Sequence, residues 1–215
     1  MKHRLPEANP LTVERGAAIG DPMNRIAIVG CSGGGKSTLA RALGAALGTP
    51  VVHLDALFWK PGWVESDPEP FRAAVEAALA GERWVSDGNF TSVADISLAR
   101  ADTIVWIDQA MPLCLWRAAW RALTQFGRTR ADLAPGCPEK IDFAFYHYIL
   151  TWNRAPRTRL QGAIDVFGRQ ARLIRLRNDR EVAAWLRNQT GVRAFTGRRP
   201  GADLRPGALN NGDKP

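Results

Sequence analysis

The chain has little of what small folds use as staples or as metal ligands. Its 215 residues include three cysteines, Cys31, Cys114 and Cys137, and three histidines, His3, His53 and His147. Neither set has metal-ligand spacing, so no zinc site is expected. The odd, sparse cysteine count fits a reducing compartment rather than a disulfide framework. No apolar run reaches the length of a membrane span and no basic-then-apolar leader is visible, so the expected location is cytoplasmic. Acidic residues are also in short supply, 21 against 29 Lys and Arg, for a net charge of +8. A basic surface suits polyanions, whether nucleotides, nucleic acid or acidic headgroups, and charge alone does not choose among them.

What is present reads as one soluble domain. The apolar fraction of 46% and charged fraction of 23% are ordinary for a globular protein of this length. Residues 1–22 show no helical or strand period, and 190–215 are rich in Gly, Pro and Asn. Both are expected to be disordered extensions of a domain spanning 23–189. Within the domain, strands alternate with helices. "RIAIV" (25–29), "PVVHL" (50–54), "RWVSD" (83–87), "DTIVWID" (102–108) and "ARLIRL" (171–176) read as strands. Helices are expected after Lys36, after Asp67-Pro68, from Pro112, around Phe145 to Trp152, and after a cap at Asp179. Such alternation implies an α/β fold, a parallel sheet with helices on both faces and ligands at the carboxyl ends of its strands.

At the end of the first strand, Gly30, Gly35, Lys36 and Ser37 fit the pattern G-x-x-x-x-G-K-[ST], within "GCSGGGKST". The chemistry requires these residue types. Glycines let successive backbone N–H groups turn inward on an anion, where a Cβ would obstruct them. The following helix adds its positive end, Lys36 reaches the β- and γ-phosphates, and Ser37 ligates Mg²⁺. Gly30, Ser32, Gly33, Gly34, Gly35, Lys36, Ser37 and Thr38 are therefore the expected nucleotide-binding residues. Cys31 is read as a bystander.

Three carboxylates follow strands. Asp55 is the best candidate for contacting an acceptor hydroxyl or the metal, and Asp87, before Gly88, is the candidate to join Ser37 on Mg²⁺. Asp108 is read as a capping or turn carboxylate. Residues 112–160 carry eight basic against three acidic side chains. Arg128 and Arg130, in a Gly/Pro-containing stretch between helices, suit a movable clamp on a transferring phosphate. Arg154, Arg157 and Arg159 have even claims to that role, while Arg121 and Lys140 are read as a solvated helix face. Among the eight tryptophans, Trp84, Trp106, Trp116, Trp120 and Trp185 sit at core-like positions. Phe58, Trp59 and Trp63 occupy a loop after the second strand, suited to facing an acceptor or to stapling the core.

Taken together, "RIAIVGCSGGGKSTLARALG", "HLDALFWKPGW", "WVSDGNF", "RADTIVWID", "DLAPGCPEKID" and "LIRLRNDREVAAWL" resemble the adenylate kinase–like P-loop proteins of the DNA topology modulation group, over roughly residues 23–188. The resemblance implies a nucleoside-monophosphate-kinase-like core of five parallel strands in the order 2-3-1-4-5. It also implies an acceptor region after strand two and a helical lid, about 112–160, between strands four and five. Asp87-Gly88 matches the Asp-Gly after strand three of adenylate kinases, but "DGNF" replaces "DGFPR", so the acceptor-binding arginine expected there is absent.

The expected activity is Mg²⁺/ATP-dependent transfer of the γ-phosphoryl group to a small acceptor, with Lys36, Asp55, Arg128 and Arg130 as the catalytic residues. The rival is a nucleotide-binding regulator acting on nucleic acid, without a small acceptor. The basic segment permits it but carries no nucleic-acid-binding motif.

Overall fold

A computed structural model of the protein describes residues 12–15 and 23–190. Its elements in chain order are β1 (Thr12–Arg15), β2 (Arg25–Gly30), α1 (Lys36–Leu47), β3 (Val51–His53), α2 (Leu54–Phe58), β4 (Trp59–Lys60), β5 (Val64–Glu65), α3 (Pro68–Ala78), β6 (Trp84–Asp87), a 3-10 turn at Thr91–Val93, α4 (Ala94–Ser97), β7 (Thr103–Ile107), α5 (Met111–Thr124), α6 (Phe143–Leu150), α7 (Ala155–Phe167), β8 (Arg172–Leu176) and α8 (Asp179–Thr190). The five strands expected from the sequence are parallel and lie in the order β3-β6-β2-β7-β8. That is the 2-3-1-4-5 order that the resemblance implies.

One expectation for the N-terminal extension needs correcting. Thr12–Arg15 is a strand, added antiparallel to β8 at the sheet edge. An edge strand needs only a row of backbone donors and acceptors to pair with, which leaves no hydrophobic period to read. The rest of 1–22, and 191–215, lie outside the described residues.

Period-two alternation along the strands builds a core on each face of the sheet. Ala27, Val29, Trp84, Ile104, Trp106 and Leu173 face α3 to α7. Ile26, Ile28, Val85, Val105, Ile107 and Ile174 face α1 and α8 through Leu39, Leu43 and Trp185. A third, small cluster is separate from both. Leu133, Ala134 and Cys137 pack against Trp59 and Trp63. The aromatic loop after the second strand is thus a one-turn helix and a tight hairpin, β4–β5, docked on the segment between α5 and α6. Trp63 Nε1 donates to the Pro138 carbonyl at 2.8 Å and Gly62 N–H to the Gly136 carbonyl at 2.8 Å. Of the two uses open to these tryptophans, stapling is the one observed.

Helix α5 also departs from the sequence reading. Trp116 and Trp120, expected in the core, are 60% and 57% exposed, while Cys114, Ala118 and Ala122 form the buried stripe. The cause is close approach. A Cβ on Gly33 would lie 2.2 Å from the Cys114 carbonyl oxygen, so α5 presses its backbone against the phosphate loop and only small side chains fit between.

Candidate active site

The loop joining β2 to α1 is shaped by its neighbours as much as by its own glycines. Gly30 has φ +138°, and a Cβ there would meet the Ile107 carbonyl oxygen at 2.1 Å. Asn89 holds the same residue from the other side: the Gly30 N–H donates to Asn89 Oδ1 at 2.9 Å, and Asn89 Nδ2 donates to the Gly30 carbonyl at 2.5 Å. The "DGNF" departure thus has a structural use. Where an acceptor-binding arginine was expected nearby, an amide side chain clamps the start of the phosphate loop.

Lys36 folds back to donate to the Cys31 carbonyl at 3.2 Å. Ser37 Oγ donates to Asp87 Oδ2 at 2.6 Å. Asp87 is buried at the end of β6, and its other oxygen pairs with His53 Nδ1. His53 was not singled out from sequence. Burial pulls its pKa down, but the hydrogen bond and charge of Asp87 outweigh that and raise it. Its position in "VVHLD", at a strand's carboxyl end, was the available signal. Asp55 is enclosed by protein while keeping a surface on the cavity, and desolvation pushes its pKa up against the opposing pull of Lys36.

Lys36, Ser37 and Asp55 face one cavity of about 1130 Å³, lined by the loop from Ser32 to Thr38 together with Arg121, Arg130 and Asp132, while Asp87 and His53 stand behind Ser37 outside the lining. Ser37 and Asp87 are hard oxygen donors in contact, which fits Mg²⁺, an ion that takes few protein ligands and keeps water and phosphate oxygens. Among the described residues no group of three or more His, Cys, Asp or Glu side chains could hold a metal by itself.

The segment between α5 and α6 meets the cavity through charge. Arg130 donates to Asp132 at 3.0 Å, and Arg41 lies 3.4 Å from the other oxygen of that carboxylate. Arg121 Nε and Arg130 Nε approach the same Glu139 oxygen at 2.9 and 2.7 Å, paired in charge but not aligned as hydrogen bonds. Burial and the neighbouring Arg130 lower the pKa of Arg121. Burial tends to raise the Asp132 pKa, but Arg130 and the Ser37 hydroxyl win and lower it.

Of the sequence-expected arginines, Arg130 is on the cavity and Arg128 is not: Arg128 is exposed and outside the lining. Arg121, expected on a solvated face, is a half-buried wall of the site. Arg157, with Arg175, holds Asp108, whose carboxyl is kept below its ordinary range by the two guanidiniums despite burial. Asp108 therefore binds charge across the sheet end rather than capping a helix. The cap of α8 is Asn178, which accepts from the Glu181 N–H at 3.0 Å, while Asp179 takes Gln109 and Arg117.

A strand–glycine loop–helix unit at the carboxyl edge of a 2-3-1-4-5 parallel sheet defines an α/β P-loop fold. No family model matches the chain, and no curated protein matches its sequence. Similar solved structures include shikimate kinase from Bacteroides thetaiotaomicron, 17% identical over 78% of this chain and 96% of that one, with a TM-score of 0.46. A gluconokinase from Sinorhizobium meliloti 1021 is 19% identical over 78% and 90%, TM-score 0.46. A putative kinase from Chloroflexus aurantiacus is 16% identical over 78% and 99%, TM-score 0.43. At such identities a shared layout says nothing of substrate. The likeness to the DNA topology modulation group stands on the sequence motifs alone.

Proposed function

We propose that the protein is an ATP-dependent phosphotransferase that moves the γ-phosphoryl group to a hydroxyl of a small acceptor. One observation supports this above the rest: the phosphate loop, the Asp55 carboxylate and the Arg130 guanidinium line a single cavity. The backbone N–H groups of Ser32 to Thr38 and the N-terminus of α1 would hold the phosphates. Lys36 would leave the Cys31 carbonyl for the β/γ oxygens. Ser37 and Asp87 would hold Mg²⁺, which when bound neutralises phosphate charge. Asp55 would take the acceptor's proton as the new P–O bond forms, the bond from Pγ to the β–γ bridging oxygen breaks, and ADP leaves. Its raised pKa makes it a better base near neutrality than an ordinary aspartate. Arg130, with Arg121 beside it, would neutralise charge on the moving group, and most of the rate would come from positioning and electrostatics.

The regulator reading gains no support from the lid. Arg41, Arg121 and Arg130 are tied to Asp132 and Glu139 on the cavity rather than spread as an open basic stripe. The test is a screen of nucleosides, nucleotides and hydroxylated metabolites for acceptor-dependent ADP release with Mg·ATP. Release with at least one acceptor is expected. No release with any, together with DNA binding that weakens steeply with salt, would replace the proposal with the regulator.

A further inference from the structure

The exposed side of the α5–α6 pair is unusual for this chain. The exposed residues of α5 are Pro112, Trp116, Trp120, Leu123 and Thr124, and those of α6 are Phe143, Ala144, His147 and Leu150. No Asp, Glu, Lys or Arg is among them, in a protein with 23% charged residues. Of the ten exposed large hydrophobic side chains among the described residues, seven fall between Trp116 and Leu150, including Phe126, Ile141 and Phe143, the last 84% exposed.

They lie on two packed helices and the segment between them. The two helices pack side by side, and the Arg121 guanidinium lies 6.0 Å from the Phe145 ring. The Gly127 N–H donates to the Glu139 carbonyl at 2.9 Å, which brings Phe126 beside the stretch running into α6. Trp116 and Trp120 are stacked, with ring centroids 6.1 Å apart and planes 9° from parallel, so the two exposed rings pack on one another along α5.

We propose that this face is the interface of a two-fold dimer with a second copy of the chain. Three physical points select that occupant. The first is area. The four exposed rings keep on the order of 500 Å² of surface, and Leu123, Ile141 and Leu150 bring the face close to the ~800 Å² that each partner of a standard interface buries. Monomers rarely expose so large an apolar patch. The second is charge. Two bodies of +8 repel at most orientations, and this face, with its cations confined to a rim at Arg128 and Lys140, is where they can meet without opposing charges. The third is what the face lacks. A helix that lies on a lipid surface presents the Lys and Arg of its own flanks to the headgroups, whereas the two cations of α5, Arg117 and Arg121, turn away, to Asp179 and Glu139, leaving only Arg128 and Lys140 exposed in the segment beyond it. The same helices carry Arg121 on their inner side, so the interface would brace the wall of the candidate site.

The test is the solution mass of the full chain by sedimentation velocity at tens of micromolar. Twice the 23.6 kDa chain mass is expected. Trp120→Glu combined with Leu123→Glu should raise the dimer dissociation constant by at least about tenfold with Mg·ATP affinity unchanged, and Val166→Glu, on the exposed side of α7, should leave the dimer intact. A monomeric wild type overturns the proposal, and so does a double variant that folds and still dimerises. A monomer that floats with phosphatidylglycerol vesicles overturns it in favour of lipid. If the double variant does not fold, the wild-type mass and Trp116→Lys decide. None of these readings depends on phosphotransfer.

Discussion

The two walls of the candidate site are built by opposite means. The phosphate-loop wall is made of backbone, fixed by near-contact with Ile107 and Cys114 and by the Asn89 clamp. The lid wall is made of long side chains, Arg121, Arg130 and Asp132, backed by the buried Glu139, and the four neutralise one another across 18 residues of chain. A backbone wall is ready before ligand arrives. A wall of ion pairs must exchange its internal partners for the ligand's, and that exchange lets it respond to bound charge. Function on the first wall should therefore be sensitive to a single side chain, and on the second distributed and graded.

Breaking the first wall should give the largest effect. Lys36→Ala should abolish phosphotransfer and greatly weaken Mg·ATP binding by calorimetry, with melting nearly unchanged, since Lys36 supports no core and contacts only a loop carbonyl. Wild-type affinity in this variant would remove the phosphate loop from the site.

Asp55→Asn comes next, with turnover at saturating Mg²⁺ falling by about 10²–10⁴ as expected for loss of a general base. The wild-type rate should fall as pH is lowered through the raised Asp55 pKa. Stability should change the opposite way. Because the folded pKa is raised, the stability Asp55 contributes is fully present below the ordinary value of about 4 and is lost as pH rises through the folded value. The Asn variant should therefore melt at or above wild type at neutral pH and lose that advantage in acid. A lower melting temperature at neutral pH would show that the charged carboxylate is structural. Asp87→Asn, by contrast, should raise the Mg²⁺ requirement, and equal metal responses in the two variants would refute the division of roles.

The lid should give smaller, graded losses. Arg130→Ala should reduce turnover by at most about 10³, the low end for an arginine at the transferring phosphate, with ATP affinity less affected. Arg121→Ala should cost less and Arg128→Ala nothing measurable, since Arg128 stands off the cavity. Equal losses at Arg128 and Arg130 in steady-state assays would show that the ion-paired arrangement is not the working one.

The smallest effect sharpens the contrast. Asn89→Ala leaves the N–H and C=O of Gly30 without their partner and should cost about 1–3 kcal/mol of stability, read by chemical denaturation, with Asn89→Asp recovering only the N–H contact. No change in either variant would mean that the glycine contacts alone set the loop.

This contrast also marks what was legible in the sequence. The strands, the phosphate loop and the rim carboxylates follow from local signals, namely β-branched runs, glycines at fixed offsets and Asp at strand ends, whereas the strand order came from the family resemblance alone. The lid wall depends on which of eight basic side chains find carboxylates far away in sequence, and no local spacing encodes that. Arg121, read as solvated, therefore turned out to line the cavity, and Arg128, grouped with Arg130, to stand off it. Trp116 and Trp120 have helical spacing suited to a core, but the backbone contact of α5 with Gly33 decides which face is buried, and that contact is long-range. His53 was overlooked for the same reason. Its partner is on the neighbouring strand, in register with it.

The small cluster that joins the β4–β5 hairpin to the lid segment has a kinetic consequence. Trp59 and Trp63 packed on Leu133, Ala134 and Cys137, with Trp63 bonded to Pro138, join two stretches some 75 residues apart into one packed unit. Admission of an acceptor past the hairpin and departure of ADP past the lid would then share a single opening frequency. Added viscogen should slow both to the same degree, and Trp63→Ala should separate them. Unequal slowing in the wild-type protein would show the two stretches opening on their own clocks.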